Sequence, residues 1–236
     1  RLPAPRLDTQ RPLPLRPQLD LVAGGGLLAR GSAAPAGGGG TYARTAAPRR
    51  RRARSLAAAA AAMTSLRPFR CGDLFRFNNV NLDVLTETFQ LGFYMSYLAK
   101  HPEFYQVAEG AAGRTMGYIM GKAEGSGEQW HGHVSAVTVA PEFRRMGLAR
   151  TLMRNLEDVS ERRHDAYFVD LFVRVSNTMA IRMYEGFGYT VYRRVLGYYS
   201  KEEDAFDLRK ALPRDKEKKS VVPLKKPVQP WELEWS

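Results

Sequence analysis

The chain has 236 residues and a formal net charge of +12, with 36 Lys and Arg against 24 Asp and Glu. Cys71 is the only cysteine, which excludes an intramolecular disulfide and a cysteine-built zinc site. No apolar run approaches the roughly 18 residues of a membrane-spanning helix. As a single sum, the charge points to a nucleic-acid or membrane-surface binder. Its distribution is uneven, so the two parts of the chain are read separately. Residues 1–62 hold 11 Arg and two Asp, whereas the rest of the chain holds 25 basic and 22 acidic residues.

Residues 1–62 carry seven prolines and eight glycines and show no helical or strand period. Such a stretch cannot offset its ordering entropy by apolar burial, so it is expected to be a disordered basic extension. Three origins stay open. It resembles a translated upstream region, since Arg1 opens the chain and Met63 is the first methionine. It also resembles an Arg-rich transit peptide, and Arg49 to Arg54 resembles a nuclear or RNA-binding patch. The expected layout is 1–62 extension, 63–212 folded domain large enough to bury a full core, and 213–236 extended Lys- and Pro-rich tail. The lone cysteine fits a reducing, cytoplasmic setting, with a nuclear or organellar one only if the extension is native.

From Thr64 onward, polar and apolar residues recur with period. Leu66 to Arg70 reads as a strand, and Asp73 can cap a helix containing Leu74, Phe75, Phe77 and Val80. Phe93 to Lys100 reads as a second helix, stopped by Pro102. Phe104 to Glu109 and Thr115 to Glu124 read as strands joined by a turn at Ala111–Arg114. Gly125 to Gln129 reads as a loop before a third long strand, His131 to Val139. Leu148, Leu152, Leu156 and Val159 repeat at helical spacing in a helix from Leu148 to Arg162. Ala166 to Val173 is apolar enough for a central strand. A helix from Asn177 to Phe187 and strands from Tyr189 to Leu196 and Ala205 to Lys210 complete the set. The order β, α, α, β, β, β, α, β, α, β, β implies an α/β mixed sheet with helices packed on it.

The sharpest feature is the segment from Val137 to Ala149, in which a strand runs through a turn into the long helix. Gly147 permits a backbone conformation closed to other residues. Arg144 and Arg145 add positive charge, and the first amides of a helix lack internal partners. Together these make a cradle for a pyrophosphate.

Arg144-x-x-Gly147-x-Ala149, following Val137-x-Val139-x-Pro141, resembles the acetyl-CoA motif of the GCN5-related N-acetyltransferases (GNAT). Asn177-x-x-Ala180-x-x-x-Tyr184-x-x-x-Gly188-Tyr189 resembles the second half of that signature. Leu85-Thr-Glu-Thr, Trp130-His-Gly-His-Val, Phe168-Val-Asp-Leu-Phe-Val-Arg-Val-Ser-Asn and Tyr198-Tyr199 resemble the catalytic subunits of N-terminal acetyltransferase B (NatB). The likeness runs from Met63 to about Val228.

This resemblance implies a GNAT fold, with about seven strands flanked by about four helices, and acetyl-CoA as cosubstrate. Val137, Thr138 and Val139 would pair with the pantetheine arm, and Arg144, Arg145, Met146, Gly147, Leu148 and Ala149 would hold the diphosphate. Asn177 would hold cofactor or substrate backbone. The implied substrate is a nascent N-terminal Met followed by Asp, Glu, Asn or Gln. Glu87, Phe89, His133, Ser135, Ala136, Phe172, Tyr198 and Tyr199 are the implied peptide contacts. Phe89 stands where Tyr is expected, and Ser135 where Thr is. Tyr184, with Asn177 and Glu87, makes up the implied catalytic set. Tyr184 is the acid for the departing thiolate, and its ordinary phenol pKa of about 10 keeps it protonated.

No metal is implied. The implied partner is a large helical-repeat auxiliary subunit that places the enzyme on ribosomes. Leu74, Phe75, Phe77 and Leu98 could serve that contact or the core. The domain itself is expected to bind neither membrane nor nucleic acid directly. The competing readings are an acetyltransferase for lysine or small amines, and a non-enzymatic ribosome- or RNA-binding module.

Overall fold

The computed structural model describes residues 64–83 and 86–233. The extension and the expected start at Met63 lie outside the described residues, as does Leu85. Seven strands form one sheet: β1 (Ser65–Pro68), β2 (Gln106–Glu109), β3 (Thr115–Glu124), β4 (His131–Val139), β5 (Phe168–Arg174), β6 (Thr190–Tyr199) and β7 (Glu203–Ala211). Among the described residues, the four α-helices are α1 (Asn78–Asn81), α2 (Leu91–Lys100), α3 (Leu148–Arg162) and α4 (Thr178–Glu185). Strand order is β1-β2-β3-β4-β5-β7-β6. Among these seven strands, only the β4–β5 pair is parallel, with α3 as its crossover. Among the described residues, no helix is long and apolar enough to cross a membrane.

The helical spacing in α3 does what it predicts. Leu148, Leu152 and Leu156 are buried against β3, β4 and β5, each contributing about 2 kcal/mol of burial. They join Ile119, Val134, Val139, Val169, Leu171 and Leu208 in the larger core. The opposite face of the sheet carries a second core of Phe69, Phe77, Val80, Tyr94, Tyr105 and Tyr118 beneath α1 and α2. Leu74 and Phe77 are therefore core residues rather than partner contacts, and Leu98 packs half-buried on the same cluster. Phe75 is 84% exposed.

The first expected helix is broken in two. Cys71–Phe75 form a 3₁₀ turn, and α1 begins only at Asn78. Asp73 is committed elsewhere: its carboxylate accepts from Arg70 N–H at 2.8 Å and from both terminal nitrogens of Arg67 at 2.8 Å. Arg67 also donates twice to Glu109, at 2.9 Å each, so one guanidinium ties β1, the turn and β2 together.

The tail is not simply extended. It runs through two 3₁₀ turns and lies along the edge strand β6, where Leu196 N–H donates to Val228 O and Val228 N–H to Arg194 O, both at 2.9 Å. Leu233 is buried beside Val195, Tyr199 and Ala205. The tail thus covers an otherwise open sheet edge.

Candidate active site

The central strands part at one point. β4 pairs with β5 only from His131–Phe168 to Val134–Leu171, although both strands continue. The cause is local. In the β3–β4 register, Gly121 faces Val134 and Met120 faces Ala136, leaving Ser135 as an extra residue. This bulge reverses the side-chain alternation. Before it, Val134 faces the α3 core; after it, Val137 and Val139 do, while Ala136 turns to the α2 side. Beyond Val134 the β5-facing edge of β4 has no β5 partner, and the two strands open a cleft.

The turn after β4 closes one end of this cleft. Arg145 (φ +67°) and Gly147 (φ +86°) take left-handed conformations on the approach to α3. A Cβ on Gly147 would meet nothing within 4 Å, so the space beyond it is open. Leu148, Ala149 and the next residue open the helix, where amides have no intrahelical acceptor. This turn fits a diphosphate, and the β5-facing edge of β4 around Val137–Val139 fits an extended amide-bearing arm. Arg145 is exposed toward solvent and Met146 is half-buried. Arg144 is engaged differently from the expectation. Its guanidinium ion-pairs with Asp83 and donates to Val139 O at 3.1 Å, and its N–H donates to Pro141 O at 3.3 Å. It braces the turn rather than offering free charge.

The loop between α1 and α2 lies over β4. Thr86 Oγ1 and Thr138 Oγ1 share a hydrogen bond of 2.8 Å, which places Thr138 beneath the loop. Phe89 stacks on Phe93 with centroids 4.5 Å apart and donates its N–H to Tyr94 Oη at 3.1 Å. Asn81 links Tyr94 onward to Tyr118 of β3. Glu87 is held by Arg174 Nε at 2.9 Å, and Arg174 also donates to Glu203 at 3.0 Å.

Tyr184 is buried among Phe187 and Tyr189, and burial pushes its hydroxyl above the usual phenol range. It stays protonated at any neutral pH. Asn177 caps α4: its Oδ1 accepts from Ala180 N–H at 3.1 Å, leaving its amide nitrogen for other contacts. Tyr199 donates to Phe172 O at 3.2 Å and lies under Arg174, 4.1 Å from guanidinium carbon to ring centroid. Burial raises its hydroxyl, and Glu87, Arg174 and Tyr184 all act electrostatically on it. The structure thus brings Glu87, Tyr184 and Tyr199 into one neighbourhood. Tyr198 stacks on Phe172, centroids 4.7 Å apart.

A second neighbourhood lies at the other end of the cleft, where β4 and β5 still pair. Ser135 donates to Tyr97 Oη of α2 at 2.8 Å. His133 is buried, with Nδ1 2.8 Å from Asp170 Oδ1 and 3.8 Å from Glu124 Oε1. His131 Nδ1 lies 2.6 Å from Gln129 O, and its Nε2 is 3.5 Å from Asp170 Oδ2. Burial favours neutral His133, but Asp170 and Glu124 outweigh it and hold the imidazole above its usual range. Burial likewise opposes Asp170 ionisation, and His131, His133 and Arg209 overcome it. Glu124, His131 and His133 place donor atoms within 4.8 Å of one another. Lys122 ion-pairs with Glu124 and Asp170 holds His133, so these groups share one charge network. Sequence reasoning missed Asp170, Tyr97 and Arg174. An acid inside the apolar run Phe168–Val173 was the available signal for Asp170, since buried acids need partners.

Residues 73–189 match the Acetyltransferase (GNAT) family. The N-terminal acetyltransferase B complex catalytic subunit of Arabidopsis thaliana is 65% identical over 173 residues, covering 73% of this chain and 99% of that protein. The crystal structure of Chaetomium thermophilum Naa20 with a bisubstrate analogue superposes with a TM-score of 0.67 at 44% identity, covering 71% of this chain and 97% of the other. The NatB acetyltransferase complex bound to CoA and MES gives 0.59 at 45% identity, over 63% of this chain and 99% of that one. The chain is a member of the GNAT family of acetyltransferases. Within that family it belongs with the N-terminal acetyltransferases, in the branch of the NatB catalytic subunits.

Proposed function

We propose that this enzyme transfers the acetyl group of acetyl-CoA to the α-amine of peptides beginning with Met followed by Asp, Glu, Asn or Gln. The observation that carries this reading is the parted β4–β5 pair. It has an anion-binding turn at one end, and a buried histidine with its carboxylate partner at the other. Acetyl-CoA, when bound, supplies an activated thioester.

The chain's own residues do the rest. The amides from Arg145 to Ala149 bind the diphosphate, with the helix dipole behind them. The β4 edge around Val137 and Val139 aligns the extended arm and directs amide donors to the reacting carbonyl. Tyr184, kept protonated by burial, donates to the departing sulfur. The incoming α-amine, of pKa about 7.7–8.0, is already partly neutral near pH 7 and attacks the carbonyl. The proton it loses as the C–N bond forms passes through water and restores the one that Tyr184 gives to sulfur as the C–S bond breaks. Glu87, with Arg174 compensating its charge, orients that amine. Phe89, Ala136, Phe172, Tyr198 and Tyr199 enclose the methionine and the peptide backbone. His133, with Ser135 and Tyr97, meets the second side chain.

An auxiliary subunit of helical repeats, as partner and link to the ribosome, belongs to the same proposal, acting on nascent chains in the cytoplasm. Exposed Phe75, Leu82, Leu91 and Met95 on the helical side supply an apolar surface for it. A panel of peptides beginning Met-Asp, Met-Glu, Met-Asn, Met-Leu and Ser-Glu tests the substrate class. The expected result is acetylation of the first three at least about tenfold faster than of the last two. Equal rates on all five would contradict it.

A further inference from the structure

We propose that Asp170 is a positioning residue for substrate choice: it fixes the tautomer of His133 and thereby sets the preference between carboxylate and carboxamide second side chains. This inference rests on the substrate class proposed above and goes beyond it.

The argument begins with the sheet. β4 and β5 are parallel, and His133 is registered directly with Asp170. Both side chains are buried, with residue exposures of 7% and 3%. The carboxylate of Asp170 accepts but cannot donate, so the 2.8 Å contact requires the proton of His133 to sit on Nδ1. Any bond from His133 to a peptide side chain then runs through Nε2. With His133 protonated, Nε2–H donates to an Asp or Glu carboxylate as a charge-assisted hydrogen bond. With His133 neutral, Nε2 is an acceptor. It then repels a carboxylate but still takes an N–H from Asn or Gln.

The charges around His133 come from several strands. Glu124 and Lys122 face it from β3, and His131 lies two residues away on β4. Asp170 holds it from β5 and is itself steadied by His131 and by Arg209 of β7. Arg209 is sandwiched between the rings of Phe168 and Tyr192, at 4.4 and 3.7 Å, and pairs with Asp207. Tyr198 of β6 lies within the field of Asp170 and Glu124. The balance of these groups favours protonated His133 above the ordinary imidazole value of 6.5.

The test compares kcat/KM for Met-Asp and Met-Asn peptides across roughly pH 6 to 9, using the full chain in its complex. Ionisation of the peptide α-amine is common to both peptides and cancels in the ratio. The wild-type Met-Asp to Met-Asn ratio is expected to fall as pH rises through the His133 pKa. In Asp170→Asn, that fall should move to lower pH, and the ratio near pH 7 should drop by about tenfold, the difference between a charge-assisted and a neutral hydrogen bond. His133→Gln should give a flat ratio, since the imidazole that meets the second side chain is gone. A merely structural role for Asp170 lowers both peptides equally. That result, or a pH-independent wild-type ratio with robust acetylation of both peptides, overturns the inference alone. No acetylation of either peptide overturns the substrate reading together with this inference. Even if Asp170→Asn fails to fold, a pH-independent wild-type ratio still overturns the inference.

Discussion

Tyr184→Phe should lower kcat by about 10²- to 10³-fold, with less than about a threefold change in the KM for acetyl-CoA. Proton donation by a positioned side chain contributes on this scale. The substitution removes one oxygen and leaves the ring among Phe187 and Tyr189, so the fold and the adjoining walls of the cleft persist. Burial holds the hydroxyl above the usual phenol range. The wild-type rate should therefore show no loss assignable to this residue below about pH 10. Steady-state kinetics with saturating peptide check both statements. Unchanged turnover would remove Tyr184 from the acid role and pass it to another hydroxyl of the same neighbourhood, such as Tyr198 or Tyr199.

Gly147→Val should act on the other substrate. At φ +86° a β-branched side chain is strained, and a left-handed residue costs about 1–2 kcal/mol. The space beyond Gly147 is open, so steric clash does not prevent folding. The turn relaxes instead, and the amides at the start of α3 rotate away from a common focus. The expected outcome is a rise of about 5- to 30-fold in the KM for acetyl-CoA, at the scale set by that strain, with kcat changed far less. A variant that lost kcat while keeping its KM would show that the turn is not where the diphosphate binds.

Gly147 and Tyr184 stand out in the sequence because each carries a local mark. Gly147 breaks a strand–helix junction, and Tyr184 sits at fixed spacing from Asn177 in a short helix. The long elements were legible for the same reason: β3, β4 and α3 lie at the bounds their periodicity predicts. Shorter elements moved by one to three residues where capping or pairing decided the ends. Asn177 caps α4 instead of joining it, and β6 runs on to Tyr199. What stayed hidden was non-local. β7 slots between β5 and β6, and nothing in either strand's pattern marks it for that place. The bulge at Ser135 opens the cleft, yet a one-residue slip leaves no trace in an alternating run of small and branched residues. Arg144 carried the right motif position, but its charge is spent on Asp83, which sequence order places 61 residues earlier. Asp170 and His133 are 37 residues apart and meet only because β4 and β5 are neighbours.

The most direct test of the central claim is to locate the acetyl group. A Met-Asp peptide carrying an internal lysine, incubated with the complex and acetyl-CoA, can be fragmented by mass spectrometry to assign the modified nitrogen. The account predicts acetyl on the α-amine and none on the lysine ε-amine. Acetyl on the lysine, or on both amines at equal rate, would contradict it.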